Sequence, residues 1–247
     1  MSSGSTPSSK GGSFRKPQVS TRTIFRVILY IGTPRTGGGT LQRFLTRERQ
    51  LLRSENLAFC RGLDGKGNFK ALFHASLSPF RRPLVHEKQG WLERLFQAGR
   101  LRRHIMKYRG RHRSSTVIFS CDLLSLLRQR DEVLRLKRLF PPGTEFTIVM
   151  CLREPADYLD ACARHLDLQR IPRGQQPNLS TYVESDSWLA DYDAIIKTYS
   201  LISSDIRVID YDRDADHGNA ILAAFFRIIG VTREVVDERV SEHAGKD

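Results

Sequence analysis

Acidic residues are scarce in this chain: 27 Asp and Glu stand against 40 Lys and Arg, and none precedes Glu48. No apolar run approaches the roughly 20 residues a membrane-spanning helix needs, which excludes such a segment. Four cysteines, Cys60, Cys121, Cys151 and Cys162, include no C-x-x-C pair and have no clustered histidine beside them. That scatter argues against a zinc site and predicts buried free thiols in a reducing compartment. The N-terminal stretch 1–23 lacks both periodic apolar residues and the apolar centre of a secretory signal. Rich in Ser and Gly and basic throughout, it is expected to be a disordered tail. A cytoplasmic location is expected, with export or organelle targeting by that tail left open.

The 247 residues, 40% hydrophobic, suffice for one good-sized core and not for two full domains. Net charge of +13 and a pI near 10.0 favour anionic partners: nucleotides, acidic or sulfated glycans, nucleic acid or an anionic surface. The densest basic run extends from Arg81 to Arg113, where only Glu87 and Glu93 are acidic. Its apolar positions step by three or four from Trp91 to Tyr108, predicting a helix over 86–108 whose charges form a solvated face. Attraction of an anionic acceptor is the alternative use of those charges. No aromatics interleave with them as base-stacking platforms, so a specific nucleic-acid partner is not expected.

The organising stretch is Phe25 to Leu52. Phe25–Ile31 is an apolar, β-branched run that reads as a strand buried on both faces. Gly32 to Gly39 then supplies four glycines around Pro34, Arg35 and Thr36, and helical spacing resumes at Thr40. Strand, glycine-rich turn and helix together can cradle a phosphate with bare N–H groups and the positive end of a helix dipole. Gly32 and Gly37 satisfy the first part of the nucleoside-triphosphate loop motif. Gly38 and Gly39 occupy the positions where that motif needs Lys and Ser or Thr. An NTPase or nucleotide kinase would thus lack its phosphate lysine and its magnesium hydroxyl.

Further apolar runs, Thr116–Ser120, Glu145–Leu152 and Ile206–Tyr211, alternate with helical patterns, and Leu57–Cys60 reads as a short strand. Helices are expected over 123–140, from Pro155 to about Leu168, within 180–202, and from Asn219 to Ile229. The segment from Arg61 to Val85, with His74 inside it, reads as a long loop. Strands without in/out alternation call for a single-domain open α/β fold: a parallel sheet with helices on both faces, of P-loop type. Residues 24–232 would form this domain and 233–247 a charged C-terminal tail. Arg35, Asp122 and Arg153 each follow closely on a strand end, so one sheet edge is expected to gather two arginines and a carboxylate.

A positive charge inside the loop resembles the sulfotransferases that use 3'-phosphoadenylyl sulfate, whose loop reads roughly T-P-[KR]-[TS]-G-[TS]-[TS]. Thr33, Pro34, Arg35, Thr36 and Gly37 match it; Gly38 and Gly39 replace two hydroxyl residues, ahead of Thr40. Ser120-Cys121-Asp122 resembles a Ser-Ser-Glu stretch of the bacterial members. Arg153 stands where the family has an arginine for the cofactor's 3'-phosphate, and Ala161 where it has a serine. The resemblance spans roughly Ile24 to Val231 and implies transfer of a sulfuryl group from that donor to an acceptor hydroxyl on a glycan, metabolite or tyrosine. It implies Arg35 as charge stabiliser, Asp122 or His74 as the base, and no metal. Three missing hydroxyls, at about 1 kcal/mol each, leave room for a relative that keeps the fold and binds nucleotide or polyanions without catalysis.

Overall fold

The computed structural model describes residues 24–81, 91–113, 115–214 and 220–231. The two expected tails, the start of the basic helix at 86–90 and Asn219 lie outside the described residues. Five strands form one sheet: β1 (Arg26–Tyr30), β2 (Leu57–Phe59), β3 (Thr116–Ser120), β4 (Glu145–Leu152) and β5 (Asp205–Asp210). Their order is β2-β3-β1-β4-β5 and every pairing is parallel. The expected α/β fold with an open parallel sheet is thus what forms, as a single domain. β1 sits at the centre, with Ile28 opposite Ile118 on one side and Thr147 on the other.

Alternate residues of β1 serve two separate cores. Phe25, Val27, Leu29 and Ile31 join one cluster with Phe69, Phe73, Leu101, Ile105 and Leu136. These come from the edge of α3 (Lys70–Ser76), from α4 (Trp91–Arg111) and from α5 (Arg130–Leu139). Ile28 and Tyr30 join the other, against Leu41 and Phe44 of α1 (Gly38–Arg47) and Phe225 and Phe226 of α9 (Ala220–Ile228). Burial on both faces explains why the strand has no polar alternation. Between these lie α2 (Arg49–Ser54), α6 (Pro155–Leu168), α7 (Tyr192–Tyr199) and the short α8 (Tyr211–Asp214). Among the described residues, no helix is long and apolar enough to cross a membrane.

Two expectations need correction. The segment after β2 is not a bare loop, since α3 occupies Lys70–Ser76 with Leu72 and Phe73 fully buried. Nor does one helix run from 123 to 140. A 3-10 turn covers Asp122–Leu126, and α5 begins afresh at Arg130. The break is stabilised by Glu132, whose carboxylate accepts the N–H groups of Arg128 and Gln129 at 2.9 and 3.0 Å. Those donors are then capped from a later turn, so the chain can restart its helix with both of them satisfied.

Candidate functional site

The glycine loop leaves β1 by a path that needs two of its glycines. A Cβ on Gly32 would lie 2.5 Å from the hydroxyl of buried Tyr30, and Gly37 has φ +76° with Ile221 of α9 3.2 Å from where its Cβ would stand. Gly38 and Gly39 are different. A Cβ on Gly38 would make ordinary contact with Tyr30, and on Gly39 it would meet nothing. Nothing in the packing explains those two glycines. Replacing Gly37 with alanine should cost about 1–2 kcal/mol from the left-handed conformation alone. Urea denaturation checks this; a loss below a few tenths would mean that the turn rearranges freely.

Arg35 also has a positive φ, 74°. A non-glycine residue in that region carries strain of order 1–3 kcal/mol, which the surroundings must hold. They do so through threonines. The Thr33 hydroxyl donates to the Cys151 carbonyl at 3.1 Å, pinning the loop to β4, and the Thr36 hydroxyl donates to the Thr33 carbonyl at 2.6 Å. Both side chains are buried. The Thr33 N–H also bonds the Cys151 carbonyl, while Thr40 and Leu41 donate to the Gly37 carbonyl. Among the described residues, the N–H groups of Arg35 through Gly39 donate to no backbone acceptor. Of these five, Arg35, Gly37, Gly38 and Gly39 line the cleft at the N-terminus of the ten-residue α1, while Thr36 is buried. That is the geometry of an anion site.

The loop opens into a cleft of about 770 Å³, within the range of small-ligand sites. Thr33, Pro34, Arg35 and Gly37 through Thr40 form one wall. Lys70 and Arg43 add positive charge, and Asp122 is the carboxylate on that surface. Asp122 Oδ1 accepts Asn68 Nδ2 at 2.6 Å and the Leu123 N–H at 3.0 Å. Gln42 Nε2 donates to Ser120 Oγ at 3.0 Å, a buried link from α1 to the end of β3. From α6, Tyr158, Cys162 and His165 face the cleft. Burial and the nearby Arg35 both hold the His165 imidazole below its ordinary pKa, favouring the neutral ring. Burial raises the Cys162 thiol, with Arg35 opposing. Cys60, Cys121 and Cys151 are buried free thiols that burial pushes upward, Cys151 to about 12.

The structure brings Arg35 and Asp122 to one cleft and leaves other expected residues out of its lining. Arg153, just beyond the end of β4, pairs with Asp212 at 3.3 Å and lies 5.3 Å from the centre of the Tyr211 ring. The parallel strands β3, β1 and β4 do deliver Asp122, Arg35 and Arg153 to one sheet edge, but Arg153 does not line the cleft, and α8 supplies it with a carboxylate and a ring. Ala161 sits one position around α6 from Cys162 and is not part of the lining. His74 belongs to α3, packs its ring 5.3 Å from Phe73, and is likewise outside the cleft. Sequence reasoning missed His165, Lys70 and Gln42. The i, i+4, i+7, i+8 spacing of Tyr158, Cys162, His165 and Leu166 was the available signal for the α6 face.

No family model matches the chain, and no curated protein matches it. Solved structures do. A sulfotransferase from Alicyclobacillus acidocaldarius superimposes with a TM-score of 0.51 at 14% identity, over 85% of this chain and 82% of that one. The sulfotransferase domain of the curacin biosynthetic pathway gives 0.43 at 13% identity, over 85% and 75%. A structure of the PezAT toxin–antitoxin system of Streptococcus pneumoniae gives 0.38 at 15%, over 89% and 84%. Of these three, only the first passes 0.5, and at its identity it speaks to architecture alone. With a glycine loop leaving the central strand of a five-stranded parallel sheet, the chain has the α/β fold of a solved sulfotransferase.

Proposed function

We propose that the protein is a sulfotransferase that takes a sulfuryl group from 3'-phosphoadenylyl sulfate and gives it to an acceptor hydroxyl. The observation that carries this reading is the loop lining the cleft, where Arg35, Gly37, Gly38 and Gly39 have N–H groups without backbone acceptors and where Arg35 is present but the lysine of an NTP loop is not. The N–H groups of the cleft-lining loop residues, the α1 dipole and Arg35 suit a 5'-phosphate, and the space beside Gly39 leaves the missing hydroxyls uncompensated but unobstructed. When bound, the donor supplies an activated sulfuryl group whose departure leaves negative charge on the 5'-phosphate. Arg35 and the loop amides are fixed donors for that charge before the reaction begins.

A base takes the acceptor's proton. Asp122 is assigned that role through Oδ2, since both of its protein hydrogen bonds fall on Oδ1. His165, held neutral, stands in the same cleft and replaces His74 as the histidine available there. Arg153 remains our candidate for the 3'-phosphate, which then has to displace Asp212.

The test is a thermal-shift titration with 3'-phosphoadenosine 5'-phosphate in the absence of magnesium. A hundredfold excess over Kd stabilises by about 2.7 kcal/mol, which for a chain of this size raises Tm by roughly 5–10 °C. Arg153→Ala should reduce the shift and Asp212→Asn should enlarge it, because Asp212 competes for the same guanidinium. No shift, or a shift with ATP that needs magnesium, would overturn the reading.

A further inference from the structure

A second cavity opens at the far edge of the sheet, beside β2, with a volume of about 290 Å³. It shares no lining residue with the cleft at the glycine loop. β2 lies two strands from β1, about 10 Å across the sheet at the usual spacing. Four arginines line it from three places in the chain: Arg49 and Arg53 on α2, Arg61 after β2, and Arg111 at the end of α4. Among the described residues, no carboxylate lines it. The basic run of α4 is therefore not merely a solvated face, since its last turn meets other cations around a concavity.

The opposite wall is a ladder of rings on α4. His104, Tyr108 and His112 stack at 6.5 and 4.4 Å in steps of four residues. Tyr108 is fixed by donating to the Phe59 carbonyl at 2.8 Å, and His104 Nε2 lies 3.7 Å from Cys60 Sγ. Electrostatics report the convergence independently. Burial raises the Tyr108 phenol to about 12, and Arg49, Arg61 and Arg53 all oppose that rise. Burial, Arg53 and Arg111 together hold His112 below its ordinary pKa. Arg49 and Arg53 are also like charges at i, i+4 on a six-residue helix, a spacing that destabilises the helix unless something neutralises it.

We propose that this cavity is a binding site for a small anion bearing tetrahedral phosphate or sulfate groups, separate from the nucleotide cleft. Guanidinium groups fork onto such oxyanions. A cavity of about 290 Å³ suits one such group with a modest carrier. The proposal does not depend on the sulfotransferase reading and stands if that reading fails.

Sulfate is the probe, because it does not titrate near neutrality. The imidazole resonances of His104 and His112 are followed by NMR while sulfate replaces chloride at constant ionic strength. Saturable shifts of both rings are expected in the wild type. In R53Q/R111Q, whose side chains are exposed and whose loss removes like-charge repulsion, the unliganded Tm should not fall, while sulfate affinity should fall at least fivefold. Shifts that never saturate, or that persist unaltered in R53Q/R111Q, would overturn the site. A twelve-base single-stranded oligonucleotide that moves the same resonances at hundredfold lower concentration would overturn the small-anion assignment in favour of nucleic acid.

Discussion

Glu132→Ala is expected to lower the stability of the fold by about 3–5 kcal/mol, the usual result of breaking a buried charge pair by removing one partner. The Glu132 side chain is 0% exposed and that of Arg81 only 18%, with 2.6 Å between Arg81 Nη1 and Glu132 Oε2. The same carboxylate accepts the N–H groups of Ser78, Arg128 and Gln129. Its removal leaves three backbone donors unpaired and takes the counter-charge from Arg81, which keeps only the Leu126 carbonyl at 3.2 Å and the Trp188 ring. It also reaches the cleft. Arg81 and Arg128 both lie over the Trp188 ring, at 5.4 and 5.0 Å, and Arg128 donates to the carbonyls of Trp188 and Leu189. Leu189 is part of the cleft wall. Glu132→Gln keeps an acceptor oxygen and should lose less. Urea denaturation with an unchanged slope is the measurement; a loss under 1 kcal/mol would mean that water replaces the carboxylate at little cost.

The second large effect separates binding from stability. Arg35→Asn should weaken 3'-phosphoadenosine 5'-phosphate about tenfold to a hundredfold, the value of a hydrogen bond to a charged group. The unliganded protein should be no less stable. Asparagine tolerates the left-handed backbone that arginine adopts at φ 74°, so the substitution relieves strain as it removes the charge. Calorimetric titration and a melting curve on the same sample check both halves. Unchanged affinity would show that the guanidinium does not touch the nucleotide, whereas a drop in Tm would locate the role of Arg35 in the fold.

The parallel sheet was legible in the sequence because β1, β3 and β4 are apolar on every side, and only helices on both faces can cover such strands. The glycine loop was legible for a related reason. Its geometry is a property of the backbone, which a run of glycines around Pro34 announces directly. Side-chain directions were not. Ala161 was singled out only by the family's serine position; Cys162 and His165, one and four positions further along α6, are the ones that line the cleft, since each residue turns the helix by about 100°. Arg153 was placed correctly at the end of a strand. What its guanidinium does is decided by Asp212 and Tyr211, which reach it from the end of β5 and carry no local signal. α3 escaped notice because its buried pair, Leu72 and Phe73, is too short a run to display a period. The interruption before α5 depended on a carboxylate four residues ahead of the first donor it caps.

The order of the strands also has a bearing on synthesis. β1 is made first, yet both of its neighbours, β3 and β4, come from beyond residue 115. At about 5–20 residues per second, the ribosome leaves that strand without partners for on the order of ten seconds. Throughout that interval its backbone edges and aliphatic residues lack the strands that cover them in the fold, which leaves them open to self-association.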